Sequence, residues 1–117
     1  MGNATAVLLA DRGAQVVLVD LNPGVEPFAV ELDATAHVGS VADSTFCNQV
    51  VAATETSHGR VDILVNAAGT IVRANAIDTS DDDWRRIFSV NVDGLFFMCR
   101  AAVPGIEPRH EWHTLTS

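Results

Sequence analysis

The 117-residue chain contains no tyrosine. It also contains no lysine, so all 7 of its basic residues are arginine. Chemistry that needs a phenol or an ε-amine from this chain is excluded. Positive charge is scarce: 15 acids outweigh the bases, for a net charge of -8. With no basic excess to neutralise phosphates, neither nucleic acid nor an anionic membrane is expected as a partner. No apolar run approaches the roughly 18 residues of a membrane span. The opening residues show no basic segment followed by an apolar stretch, hence no sign of a signal peptide. Cysteine is limited to Cys47 and Cys99, far apart and without metal-ligand spacing. They read as buried free thiols of a reducing compartment, which makes a cytoplasmic location the expectation. At 48% hydrophobic residues the composition is that of a globular chain, one small domain at most.

What is present alternates between two periods. Residues 3–12 carry Ala4, Val7 and Leu8 at helical spacing, and Gly13 is a helix stop. Gln15 to Asp20 is a short run rich in β-branched residues, which suits a strand buried on both faces. Asn22-Pro23-Gly24 breaks it, and Pro23 and Pro27 allow only a short helix, over 26–32. A second strand is expected over 36–41 and a helix over 44–58, capped by Asp43 or Ser44 and closed by Gly59. Residues 61–65 read as a third strand, left through Asn66-Ala67-Ala68-Gly69. A last helix is expected over 80–103. Thr79 or Ser80 caps it, Asp81 to Asp83 complement its dipole, and Pro104 ends it. Its stripe runs through Trp84, Ile87, Phe88, Asn91, Leu95, Met98 and Ala102. Residues 105–117 show no period and read as an irregular tail behind a domain of 1–104. This alternation predicts an α/β fold with a parallel sheet, whose ligands bind at the carboxyl ends of the strands.

Those ends hold the candidate site residues. Asp20 lies eighteen residues after Gly2. An acid at such a distance from a glycine turn either accepts hydrogen bonds from ribose hydroxyls or is a solvated strand end. Gly2, opening the first helix, would let a pyrophosphate reach the helix N–H groups. Asn66 to Gly69 is either an ordinary turn or a small-residue platform for a flat ring or sugar. Asn91, within an apolar stripe, is either a satisfied core amide that bends the helix or a polar group lining a site. His110-Glu111-Trp112-His113 misses the spacing of a zinc helix by one residue, so no metal is expected.

Together these pieces resemble the short-chain dehydrogenase/reductase family, over about residues 1–104. Met1 to Ala6 resembles the end of its T-G-x-x-x-G-x-G turn. Arg12 to Asp20 matches its second strand and NAD-type acid. Ser40-Val41-Ala42-Asp43 stands at its Asp-Val pair, with Ser40 in place of the adenine-contacting aspartate. Asn66-Ala67-Ala68-Gly69 matches the N-N/A-A-G signature, and Asn91, within Ser89 to Gly94, matches the catalytic asparagine.

The resemblance implies a partial, doubly wound Rossmann-like sheet that lacks its first strand. It implies Gly2, Asp20, Val41, Asn66, Ala67, Ala68 and Gly69 as cofactor-binding residues and Asn91 as the catalytic one. In the family the Asn91 carbonyl holds a water of the proton relay. NAD is the implied cofactor, preferred over NADP because Asp20 would repel a 2′-phosphate. The reaction is hydride transfer between nicotinamide and a secondary alcohol or ketone. Family members act through a serine, a tyrosine and a lysine beyond the last helix. Without the tyrosine and lysine this chain is expected to be a catalytically incomplete fragment. Ser117, near the family serine by spacing, is not assigned. The other reading is a non-catalytic module that binds a nucleotide or pairs through helix 80–103 with a second copy. A phosphoacceptor receiver domain would need a lysine and is set aside.

Overall fold

The computed structural model describes residues 2–68 and 75–106, together with the backbone of 114–116. The first half is a βαβ unit behind a helix. Helix α1 (Gly2–Asp11) leads to β1 (Val17–Asp20), α2 (Val25–Leu32) and β2 (Thr35–Val38). Local chemistry sets these boundaries. Gly13, at φ 88°, turns the chain after α1 in a conformation that costs glycine nothing. Asp33, at φ 53°, closes α2 by donating its N–H to the carbonyls of Ala29 and Val30. Strands β1 and β2 then pair in parallel, from Val17 with Thr35 to Asp20 with Val38. The ladder is extended by Gly39 N–H donating to the Asp20 carbonyl at 2.9 Å.

The second half holds the core. Helix α3 (Ser44–His58) starts at Asp43, whose carboxylate accepts from the N–H groups of Thr45 and Phe46. Strand β3 (Leu64–Asn66) follows. Helix α4 (Asp81–Phe88), capped by the Ser80 hydroxyl, runs through a π-helical turn (Ser89–Asp93) into α5 (Gly94–Ile106). Cys47 and Val51 of α3, Leu64 of β3, and Met98, Ala102 and Ile106 of α5 form one buried cluster. Val41, Val61 and Phe97 pack at its margin. The spacing of Met98, Ala102 and Ile106 is the i, i+4 row that lays one helix into the groove of another.

Five expectations about these elements need correction. The second strand stops at Val38, three residues short of the expected 36–41. Ser40 there accepts from Ala42 N–H and starts a turn toward α3. The third strand is shifted, pairing from Leu64 to Asn66 and not over 61–65. Helix 80–103 is not one regular α-helix, because a π turn interrupts it. Pro104 does not end it: the proline lies in the last turn and α5 continues to Ile106, which is fully buried. The segment 105–117 is not wholly irregular, since β4 (Thr114–Thr116) pairs in parallel with β3, Leu64 with Thr114 and Asn66 with Thr116. Three-residue strands carry no period, so only the pairing reveals that one. His110 to His113 and Ser117 lie outside the described residues.

Among the described residues no ladder joins the β1–β2 pair to the β3–β4 pair. The parallel α/β sheet is therefore partial, in two separate pieces. The radius of gyration is 14.9 Å, against about 13.4 Å for a compact domain of this length. The accessible surface is 7713 Å², against about 6,100 Å² for a folded monomer of this mass. Among the described residues, Leu8, Leu21, Val30 and Ile63 are large apolar side chains left exposed.

The candidate functional site

The residues after β2, the carboxyl end of β3 and the π turn form the walls of a shallow cleft of about 50 Å³, open to solvent. Its lining is Val41, Asn66 and Ala68 on the strand side, and Val90, Asn91, Gly94 and Leu95 on the helix side. Four of the residues singled out by sequence, Val41, Asn66, Ala68 and Asn91, thus come together from distant positions. Ala67 abuts the start of α1, because a Cβ added to Gly2 would lie 3.2 Å from the Ala67 Cβ. Asp20 ends β1, exposed, with one carboxylate oxygen accepting from Asn22 N–H at 3.0 Å. The bond from Gly39 to the Asp20 carbonyl ties that strand end to the segment carrying Val41. Gly69 lies outside the described residues.

Of the two readings of Asn91, the buried core amide does not hold. Asn91 is exposed, at the cleft, on the π turn. The cause is the geometry of that turn. Gly94 N–H donates to the Ser89 carbonyl, five residues back instead of four. The extra residue rotates everything before it by about 100° relative to α5. The expected single stripe is therefore split. Met98 and Ala102 are buried, while Trp84 and Phe88 face outward. The added residue also brings Trp84, Phe88, Val92 and Phe96 into one exposed row, with Trp84 and Phe96 59% and 55% exposed. The Trp84 and Phe88 rings lie 4.6 Å apart, tilted by 42°, and the Arg100 guanidinium lies 4.9 Å over the Phe96 ring.

Sequence reasoning missed Val90, Gly94 and Leu95. Gly94 had a signal. A glycine inside a helix costs about 1 kcal/mol relative to alanine, so it implies a close approach. Here a Cβ would sit 2.6 Å from Val41 Cγ2 and 3.2 Å from its Cβ. The bare backbone of Gly94 lets α5 press against the wall of the cleft. Behind that wall, Cys47 donates its thiol proton to the Val41 carbonyl at 3.3 Å. Burial, and then the Asp43 carboxylate, push the Cys47 thiol pKa up from its ordinary value.

A partial parallel α/β sheet with a cleft at its strand ends defines the class: a dinucleotide-type fold. The comparisons give the family. The family model described as enoyl-(acyl carrier protein) reductase matches residues 1–117. The chain belongs to the short-chain dehydrogenase/reductase family. It is 34% identical over 111 residues to the 2-keto-3-deoxy-L-fuconate dehydrogenase of Xanthomonas campestris, a match covering 93% of this chain and 36% of that enzyme. To the D-threitol dehydrogenase of Mycolicibacterium smegmatis it is 39% identical over 107 residues, 86% of this chain and 41% of the other. A crystal structure of a short-chain dehydrogenase/reductase from Burkholderia xenovorans superposes with a TM-score of 0.90 at 28% identity, covering 98% of this chain and 48% of that one. The chain thus spans less than half the length of each.

Proposed function

We propose that this chain carries the nucleotide-facing part of an NAD-dependent oxidoreductase acting on a secondary alcohol or ketone. The observation that carries the reading is the convergence of Val41, Asn66, Ala68 and Asn91 on one cleft at the strand ends. The residues fit such a cofactor. Asp20 offers a carboxylate for ribose hydroxyls and repels a 2′-phosphate, which favours NAD over NADP. Gly2 and the α1 N-terminus would take the pyrophosphate, with Ala67 close against them. Asn66 to Gly69 and Val41 would line the flat rings. NAD, when bound, accepts or delivers the hydride. Asn91 sits on a π turn, a distortion that accumulates at functional sites, and its carbonyl would hold a water.

The chain has no tyrosine to move the substrate proton and no lysine to depress that tyrosine's pKa. The 117 residues by themselves therefore bind without turnover. Two relatives named above are a 2-keto-3-deoxy-L-fuconate dehydrogenase and a D-threitol dehydrogenase, which supports small alcohols or ketones as the substrate class. The test is a titration of the pure chain with NAD and NADP, beside an assay of NADH formation with a panel of secondary alcohols. Saturable binding that prefers NAD and weakens in Asp20→Ala, without NADH formation, is the expected result. NADH formation above a heat-killed control overturns the incompleteness, and absence of saturable NAD binding overturns the cofactor reading.

A second reading is favoured by the row of Trp84, Phe88, Val92 and Phe96. Four large apolar groups on one exposed helix face suit pairing with a second copy of this chain. Sedimentation of the chain and of Phe96→Asp tests it: a dimer reduced to monomer by the substitution supports pairing, and a monomer in both ends it.

A further inference from the structure

Both cysteines of the chain touch the cleft through a residue that lines it. Cys47 donates to the Val41 carbonyl, as described above. Cys99, half-buried on α5, receives the opposite kind of bond: Asn66 Nδ2 donates to its sulfur at 3.7 Å. Asn66 itself lines the cleft. A primary amide turns about its last torsion at little cost, exchanging two donors for an acceptor. Here the NH₂ donates to the sulfur, which turns it toward α5 and Oδ1 away from it.

We propose that Cys99 is a positioning residue for Asn66, fixing which face of its amide the cleft ligand meets. For the ligand class this rests on the nucleotide reading above. The positioning itself does not depend on it, since the bond is present without a ligand. A thiol is a weak acceptor, so the effect on binding is modest, about two- to five-fold in affinity. The effect on the Asn66 amide itself is direct.

The test uses the ¹⁵N-labelled full chain. The side-chain amide pair of Asn66 is assigned by its disappearance in Asn66→Asp. Cys99→Ser keeps an acceptor at the position, and Cys99→Val fills the volume without one. The expected result is a well-separated, non-random-coil pair in the unsubstituted chain, kept in Cys99→Ser and collapsed in Cys99→Val. NAD affinity follows the same order. If sulfur only fills space, the order reverses: valine preserves the pair and serine disturbs it. That reversal, equal behaviour of both variants, or a random-coil pair in the unsubstituted chain overturns the proposal. If the amide responds as stated and NAD does not bind, the cofactor reading falls and the positioning stands.

Discussion

The two halves of this chain solve the same folding problem with unequal success. Residues 2–38 make a regular helix and a βαβ unit, yet they bury only Ala6 and Ala29. Residues 41–106 bury Cys47, Val50, Val51, Leu64, Met98, Ala102 and Ile106. The first half does not lack local signals: its strands are the longer ones, and Gly13 and Asp33 turn the chain at the ends of its helices. Local signals start and stop elements, but stability comes from apolar area removed from water. The first half has little surface to pack against.

The largest test of this contrast pairs one substitution from each half. Ile106→Ala empties a fully buried position and is expected to cost about 2–5 kcal/mol. Leu8→Ala, at a side chain 52% exposed, is expected to change stability by less than about 0.5 kcal/mol. Urea unfolding measures both, and equal losses would erase the distinction between the halves. Hydrogen exchange sharpens it: amides of α3 and α5 should exchange slowest, and those of α1 and β1 fastest.

Next in size is Gly94→Ala. The intrinsic helix propensity gain of about 1 kcal/mol opposes a clash with Val41 that costs about 1–3 kcal/mol. A net loss is expected, and Val41→Ala in the same chain should recover much of it. Gly94→Ala alone raising the melting temperature would show that α5 does not press on the cleft wall as described.

Asp43→Ala removes the carboxylate that caps α3 and should cost about 1 kcal/mol. It should also let the Cys47 thiol ionise more easily, because the Asp43 charge is one of the two causes holding that pKa up. Competition alkylation of Cys47 in native and substituted chains reads this.

The weakest handle is pH. The Cys47 pKa in the folded chain lies above its ordinary value of 9.0, so the folded state holds its proton more tightly than the unfolded one. The resulting stability is fully present below pH 9 and declines as pH rises from there through the folded-state value. A melting temperature that falls above pH 9 in the native chain and less so in Cys47→Val is the expected outcome. Equal falls would assign the effect elsewhere.

The helix starts at Asp43 and Ser80, the turn at Gly13 and the end at Gly59 were legible because each depends on a few neighbouring residues. Asn66 and Asn91, which line the cleft as Asp20 does not, were legible for another reason: a small motif at a strand end and a polar residue in an apolar stripe stand out against the pattern around them. Val90 and Leu95 did not stand out, being ordinary apolar residues whose place at the cleft depends on the π turn. That turn left only an indirect trace, Gly94 inside a helix.

By itself the amino-acid order determined the alternation of helix and strand, the missing phenol and ε-amine, and which polar residues collect at strand ends. These follow from side-chain chemistry and from periods of 2 and 3.6, which are properties of a segment alone. Only the tertiary structure decided that Asn91 is exposed, that Trp84 and Phe88 face outward, and that residues 114–116 pair with β3. Each depends on a contact between distant segments. Gly94 against Val41 brings the helix to the cleft, the five-residue step from Ser89 to Gly94 rotates one half of it against the other, and β3 supplies a ladder that three residues could not announce in advance.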